Sequence, residues 1–299
     1  MTCITRVKVA HSLHLRITAT FLFIACLLHF PSQLEAQGDL LVFPKRVVFD
    51  NGKTFQTITL SNVGKDTATY SISFVQMRMT EDGRFERIDL PDPGQMFADT
   101  FIRFFPHSVT LAPNESQLVK LQLIKTNQLK PGEYRSHLYL RATPKAIPNN
   151  PNANESTSIS ALLTPIFGIT MACIIRVGEA AGSVGISNMY FERQNDSIPI
   201  LHLEFDRKGN ISEYGDITVN YISQKGKVTK VGGVQGFAIY TPNTLRTCKL
   251  ELKKIDGVDY SLGSLQVIYR GQPDSKSELL AESTLQLSVP SGATATKQH

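Results

Sequence analysis

Residues 158–177, SISALLTPIFGITMACIIRV, carry an apolar side chain at every second position: Ile159, Ala161, Leu163, Pro165, Phe167, Ile169, Met171, Cys173, Ile175 and Val177. A period of two sends successive side chains to opposite faces of a sheet, so one face of this stretch is apolar along its whole length. The interleaved positions are mixed: Ser158, Ser160, Thr164, Gly168 and Thr170 are small or polar, whereas Leu162, Ile166 and Ile174 are not. The run far exceeds an ordinary strand of about 5–6 residues. Such a strand either completes the core of its own domain throughout, or keeps part of its apolar face for something else.

The surrounding text is also strands and turns. LLVFPKRVVF is a strand interrupted at Pro44, FQTITLSNVG alternates and ends in turn residues, and ATYSISFVQMRM runs to a turn at Glu81-Asp82-Gly83. A loop over 90–99 precedes FIRFF, SVTLAPNESQLVKLQLI reads as two strands around Pro113-Asn114, and Pro131-Gly132 leads into EYRSHLYLRA. About seven short strands with regular turns and no helical period predict a β-sandwich. Residues 143–157, rich in Pro and Asn, predict a flexible loop that runs directly into the long apolar strand. After a small-residue hinge at 178–182, a second strand-rich region predicts another sandwich over 183–290, with a polar, disordered tail at 291–299. At the other end, Arg6, Lys8 and Arg16 flank an apolar core over 17–30 that is too short to span a bilayer comfortably. This pattern predicts a cleaved secretory signal over 1–36, with the first domain over 37–178.

Composition removes several function classes. Formal charge is +5, of which the leader's Arg6, Lys8 and Arg16 against Glu35 account for two, so nothing points to nucleic acid. Outside the leader His107, His137, His202 and His299 are isolated, and no spacing places two on one metal. No G-x-S-x-G elbow, C-x-x-C pair or glycine-rich phosphate loop is present. Glu204 and Asp206 share one strand face and read as solvated carboxylates; Gly232, Gly233 and Gly236 read as a bulge or kink. Cys173 and Cys248 fall in different halves and are expected to be free thiols. No enzyme, cofactor or small-molecule substrate is expected. Binding through sheet edges is.

FPKRVVFDNG followed by a strand ending in SNVG, the run FIRFFPHSVTLAPNESQLVKLQL, and PGEYRSHLYLRATP before an Asn-rich loop and a long alternating strand stand here in one order. In these stretches, residues 38–178 resemble the periplasmic pilus-assembly chaperones of the chaperone–usher pathway. The resemblance implies an all-β chain of two tandem immunoglobulin-like domains, and a non-enzymatic periplasmic protein that needs neither ATP nor cofactor. It also implies partners: secreted pilus or surface-fibre subunits, with an outer-membrane usher as a further one. In that family alternating residues of the long strand fill an open groove in a subunit, which makes Leu163, Pro165, Phe167 and Ile169 the client-strand donor positions here. A basic pair anchors the subunit's C-terminal carboxylate; Arg46 matches the arginine, which read alone is a solvated strand charge. The lysine position, four residues before Arg176, is Ala172 in this chain. The alternative is an envelope or surface scaffold on the same domains, whose long strand is satisfied by its own core.

Overall fold

Where one side of a strand is buried, its period of two becomes visible as burial. In β3 (Phe55–Asn62) Ile58 and Leu60 are fully buried, in β9 (Ser116–Leu123) Val119 and Leu121 are, and the residues between them face out. Each such Leu or Ile contributes about 1.5–3 kcal/mol through the apolar surface it removes from water. The computed structural model describes residues 39–50, 52–144, 166–194, 198–272 and 277–287, all within one compact unit.

β1 (Leu40–Phe43), β3, β9 and β7 (Ile102–Phe105) form one antiparallel sheet, in the order β1-β3-β9-β7. The opposing sheet has the order β2-β11-β10-β4-β8, from β2 (Val47–Phe49), β4 (Ala68–Val75), β8 (Ser108–Leu111), β10 (Gly132–Ala142) and β11 (Gly168–Val177). Their facing sides enclose a core that includes Phe49, Leu60, Leu111, Leu121, Leu138 and Ile175. The interrupted strand LLVFPKRVVF is thus two strands in different sheets. β1 pairs with β3, the chain turns through Pro44-Lys45-Arg46, and β2 pairs in parallel with β11. ATYSISFVQMRM also divides. β4 ends at Val75, and β5 (Met77–Met79) leaves the sandwich to form a hairpin with β6 (Phe85–Arg87), a strand the sequence reading did not foresee.

The second sandwich packs β12 (Gly182–Gln194), β13 (Ile198–Gly209) and β16 (Leu245–Glu251) against β15 (Val228–Ile239), β14 (Glu213–Ile222), β17 (Gly263–Gly271) and β18 (Leu279–Leu287). β14 alternates strictly between buried and half-buried residues, and Tyr269 is wholly buried with its hydroxyl donating to the Phe237 carbonyl at 2.9 Å. The glycines in β15 have packing reasons. A Cβ on Gly233 would lie 2.4 Å from the Ile217 carbonyl oxygen, beside an irregularity in the β14–β15 register, and Gly236 has φ +69°. Glu204 and Asp206 accept hydrogen bonds from Asn188 and Ser187, as surface carboxylates do. Among the described residues no helix is long and apolar enough to cross a membrane, and no cluster of His, Cys, Asp or Glu could hold a metal ion. The leader, the tail and most of the Asn-rich loop lie outside the described residues.

Cys173 is buried in the first core and Cys248 half-buried in the second sandwich, both as free thiols. Burial pushes the Cys173 thiol up to about 12 and that of Cys248 up to about 11. Since the thiolate is the reactive form, the folded protein at about pH 8 should release less than about one-tenth of an equivalent from a thiol-exchange reagent within minutes. Both thiols should react at once in denaturant; prompt reaction of the native protein would contradict this burial.

Candidate functional site

β11 has two faces with different duties. Met171, Cys173 and Ile175 are buried in the core of the first sandwich, with Ile169 and Val177 packed against its rim. The alternating apolar face is therefore largely consumed by its own domain from Ile169 onward. Phe167, one step earlier, is 46% exposed, and its carbonyl accepts from the Ala142 amide at 2.9 Å. Leu163 and Pro165 lie outside the described residues. Gly168 sits under the Tyr139 ring, where a Cβ would come within 2.3 Å of a ring carbon. On one edge β11 pairs with β10 along its whole length. On the other, β2 covers only Cys173, Ile174 and Ile175, so residues 168–172 have no strand beside them among the described residues. An unpaired edge of this kind is a template for another strand.

The even-numbered face of β11 points away from the first core. Ala172 and Ile174 pack with Met79, Ala238 and Tyr240, flanked by Val48 and Tyr214, and so form a small apolar cluster between the two sandwiches. Residues opposite one another across a ladder share a face. His137 pairs with Ala172, Arg135 with Ile174 and Glu133 with Arg176, so β10 presents Glu, Arg and His to the same junction. Covering this second face explains why seven of the eleven residues of β10 are buried, polar ones included.

Arg46 stands at the head of β2, one step before the Val47–Cys173 pair and hence beside Ala172. Its guanidinium lies over the Tyr214 ring, 3.9 Å from the centroid, and Nη1 is buried with no hydrogen-bond partner among the described residues. Burial lowers its pKa from the ordinary guanidinium range, with the nearby Arg176 acting in the same direction. The group remains a cation at neutral pH. Ala172, at the lysine position, is 4% exposed beneath Tyr240 and Ala238 and contributes no charge.

The sandwiches meet through one carboxylate. Glu133 accepts from Arg176 Nε at 3.0 Å, from the Ser212 amide at 2.9 Å, from the Ser212 hydroxyl, and from Thr241 Oγ1 at 3.1 Å. Arg176 Nη2 donates to the Ser212 carbonyl at 2.7 Å, and Arg135 Nη2 to that of Thr241 at 3.2 Å. The β5–β6 hairpin reaches across the same junction: the Thr247 amide donates to Glu81 at 2.7 Å and Asn243 Nδ2 to the Met79 carbonyl at 2.8 Å. Its Phe85 ring meets His137 edge-on at 5.3 Å. Sequence reading missed Glu133, Arg135, His137 and Phe85. The signal was the i, i+2, i+4 spacing of polar residues in EYRSH, which also describes a solvated strand face.

Two outcomes follow from this chemistry. Glu133→Ala leaves the Arg176 guanidinium without its buried partner and should cost about 3–5 kcal/mol of stability, read as a lower urea midpoint. His137 is 3% exposed, and burial, reinforced by the charge of Arg135, pushes its pKa down to about 3 from 6.5. The folded state therefore keeps it neutral while the unfolded chain binds a proton below about pH 6.5. Its contribution is complete above that pH and declines as pH falls toward 3, by up to ~1.4 kcal/mol per unit. Urea titrations at about pH 7.5 and about pH 4.5 should show this loss, and His137→Phe should remove about 3 kcal/mol of it.

No protein-family model and no curated protein matches the sequence. The chain is similar to solved structures of chaperones at low identity. The YadV chaperone is 12% identical over 84% of this chain and 100% of that one, with a TM-score of 0.42. The CupB2 chaperone of Pseudomonas aeruginosa is 12% identical over 84% of this chain and 100% of that one, with a TM-score of 0.40. A chain of the CsuC–CsuE chaperone–tip adhesion subunit pre-assembly complex from Acinetobacter baumannii is 9% identical over 85% of this chain and 100% of that one, with a TM-score of 0.38.

Proposed function

We propose that this chain is a non-enzymatic periplasmic chaperone that caps subunits of a pilus or surface fibre by strand addition. In this reading residues 1–36 direct secretion, 37–178 form the client-binding domain, and 183–290 form a second sandwich that walls the cleft behind Arg46. The observation that carries the proposal is the open edge of β11 at residues 168–172, entered by an exposed Phe167 on the alternating apolar face. Main-chain hydrogen bonds along such an edge supply affinity, and alternate side chains filling pockets supply selectivity. A subunit strand laid there reaches the junction at Ala172, beside Arg46 and its unpartnered Nη1. The family-like stretches over 38–178 point the same way. The donor assignment rests on Leu163, Pro165 and Phe167 more than on Ile169, because Ile169 is packed against the chain's own core.

That packing of Ile169 also favours a second reading, an envelope scaffold whose long strand serves only its own domain. Substitution separates the two. Phe167→Asp changes a side chain that the core does not use and should leave stability within about 0.5 kcal/mol of the parent. It should also reduce co-purification from periplasm of subunits with an incomplete immunoglobulin fold by at least about tenfold, a loss of about 1.4 kcal/mol in binding. Leu163→Asp should act alike, and Arg46→Ala should weaken recovery without unfolding the protein. Unchanged recovery with Phe167→Asp and Leu163→Asp, or loss of fold in both, would support the scaffold instead.

A further inference from the structure

The outer face of β11 is exposed at the same residues where its edge is unpaired. Along the even-numbered positions burial begins at Ala172, whereas Gly168 and Thr170 are exposed. β2 pairs with β11 only from Cys173, so among the described residues 168–170 have neither a strand beside them nor a cover above them. One side chain enters this space. Tyr139 of β10 stands opposite Thr170 on one side and Ser73 on the other, and all three share the outer face. The tyrosine ring reaches diagonally across the ladder onto Gly168, with Cζ and the hydroxyl oxygen 2.8 and 2.7 Å from the place a Cβ there would take. Gly168 does not have a positive φ, so its backbone does not call for glycine; the space under the ring does. An aromatic ring laid over a glycine of the neighbouring strand supports a sheet by itself. Such support leaves the hydroxyl unused. It has been carried from β10 to a place over β11, whose far edge is the open one, and no hydrogen bond among the described residues engages it.

We infer that Tyr139 is a specificity-determining residue for the polypeptide strand that adds to β11, its hydroxyl selecting a serine or threonine on the partner's outer face beside Gly168. The inference rests on the strand-addition reading above. Neighbouring strands lie about 4.8 Å apart, so a hydroxyl over β11 is one strand spacing from the partner's side chains. Residues opposite one another share a face: partner positions beside Gly168 and Thr170 meet the hydroxyl, and those beside Phe167 and Ile169 lie on the other side. Gly168 offers the partner no side chain, and the tip of Tyr139 fills that place. A phenol and an aliphatic hydroxyl each donate and accept, so the two can bond in either sense. An apolar residue there covers the phenol oxygen without replacing the water it displaces. The exposed Phe167 on the opposite face favours apolar partner residues. The segment that fits therefore carries apolar side chains on one face and hydroxyls on the other, and threonine suits both the hydroxyl and the strand.

The test uses the intact secreted chain and two N-acetylated, C-amidated peptides. One alternates valine and threonine between flanking lysines; in the other every threonine is replaced by 2-aminobutyrate, which lacks only the hydroxyl. Amidation removes any contribution of a terminal carboxylate. The threonine peptide should bind about fivefold more tightly, the size of one net hydrogen bond. Tyr139→Phe keeps the ring over Gly168 and should bring the two peptides within about twofold, with the affinity of the 2-aminobutyrate peptide unchanged. Gly168→Ala places a Cβ where the ring lies, displaces it, and should also remove the preference. In NMR spectra the Cζ signal of Tyr139 should move further with the threonine peptide than with its analogue. If Gly168→Ala fails to fold, Tyr139→Phe and the Cζ signal decide. Equal binding of the two peptides to the parent protein, or a threonine preference that survives in folded Tyr139→Phe, reduces Tyr139 to a support for the sheet and overturns the assignment while strand addition stands. If neither peptide binds, strand addition at this edge fails and the assignment fails with it.

Discussion

Everything at the junction depends on a carboxylate that water cannot reach. An isolated buried carboxylate is among the most expensive groups a protein can hold, and it is tolerated only when paired and fully hydrogen-bonded. Glu133 meets that demand with donors drawn from both sandwiches: Arg176 from the first, Ser212 and Thr241 from the second. Neither sandwich alone compensates it. The same few residues after β15 also receive Arg135, through the Thr241 carbonyl, and Arg207, through that of Asn243. One connection between strands thereby becomes the anchorage for two arginines and one glutamate.

This docking gives β10 and β11 a second buried face, and with it a second set of rules. On the core side the apolar residues pack as in any sandwich. On the junction side Ala172 is small because Tyr240 and Ala238 lie against it, and the polar residues of β10 are enclosed beside it. Arg135, on the neighbouring strand β10, stands two residues from the glutamate that joins the sandwiches.

Much of the fold was legible in the residues. The clean alternation of FQTITLSN and SQLVKLQL, the turn residues between strands, and the free cysteines in separate halves all reflect constraints acting within a few residues of chain. The split of LLVFPKRVVF between two sheets was legible only as an interruption at Pro44, because which sheet each half joins is decided by partners distant in sequence. Of the β5–β6 hairpin, Met77–Met79 was read as the end of the preceding strand and Phe85–Arg87 was not read as a strand, since both are short and the hairpin's hydrogen bonds reach the second sandwich. Of the candidate site, Arg46 was singled out by its place in FPKRVVFDNG, and the structure puts its guanidinium over the Tyr214 ring. Ile169 was assigned to a client, although its contacts are with the chain's own core.

By itself, then, the sequence determined the period of each strand, the two-sandwich order of the chain, and which strand carries an unbroken apolar face. Those follow from local periodicity and turn chemistry. Only the tertiary structure decided that EYRSH is a buried polar face and that the Arg135 guanidinium lies over the Tyr240 ring. It also decided that, among the described residues, β2 covers residues 173–175 of the long strand and leaves the edge open at 168–172. Period two says that side chains alternate between faces; it does not say what covers either face, and only the docking of one sandwich on the other supplies that.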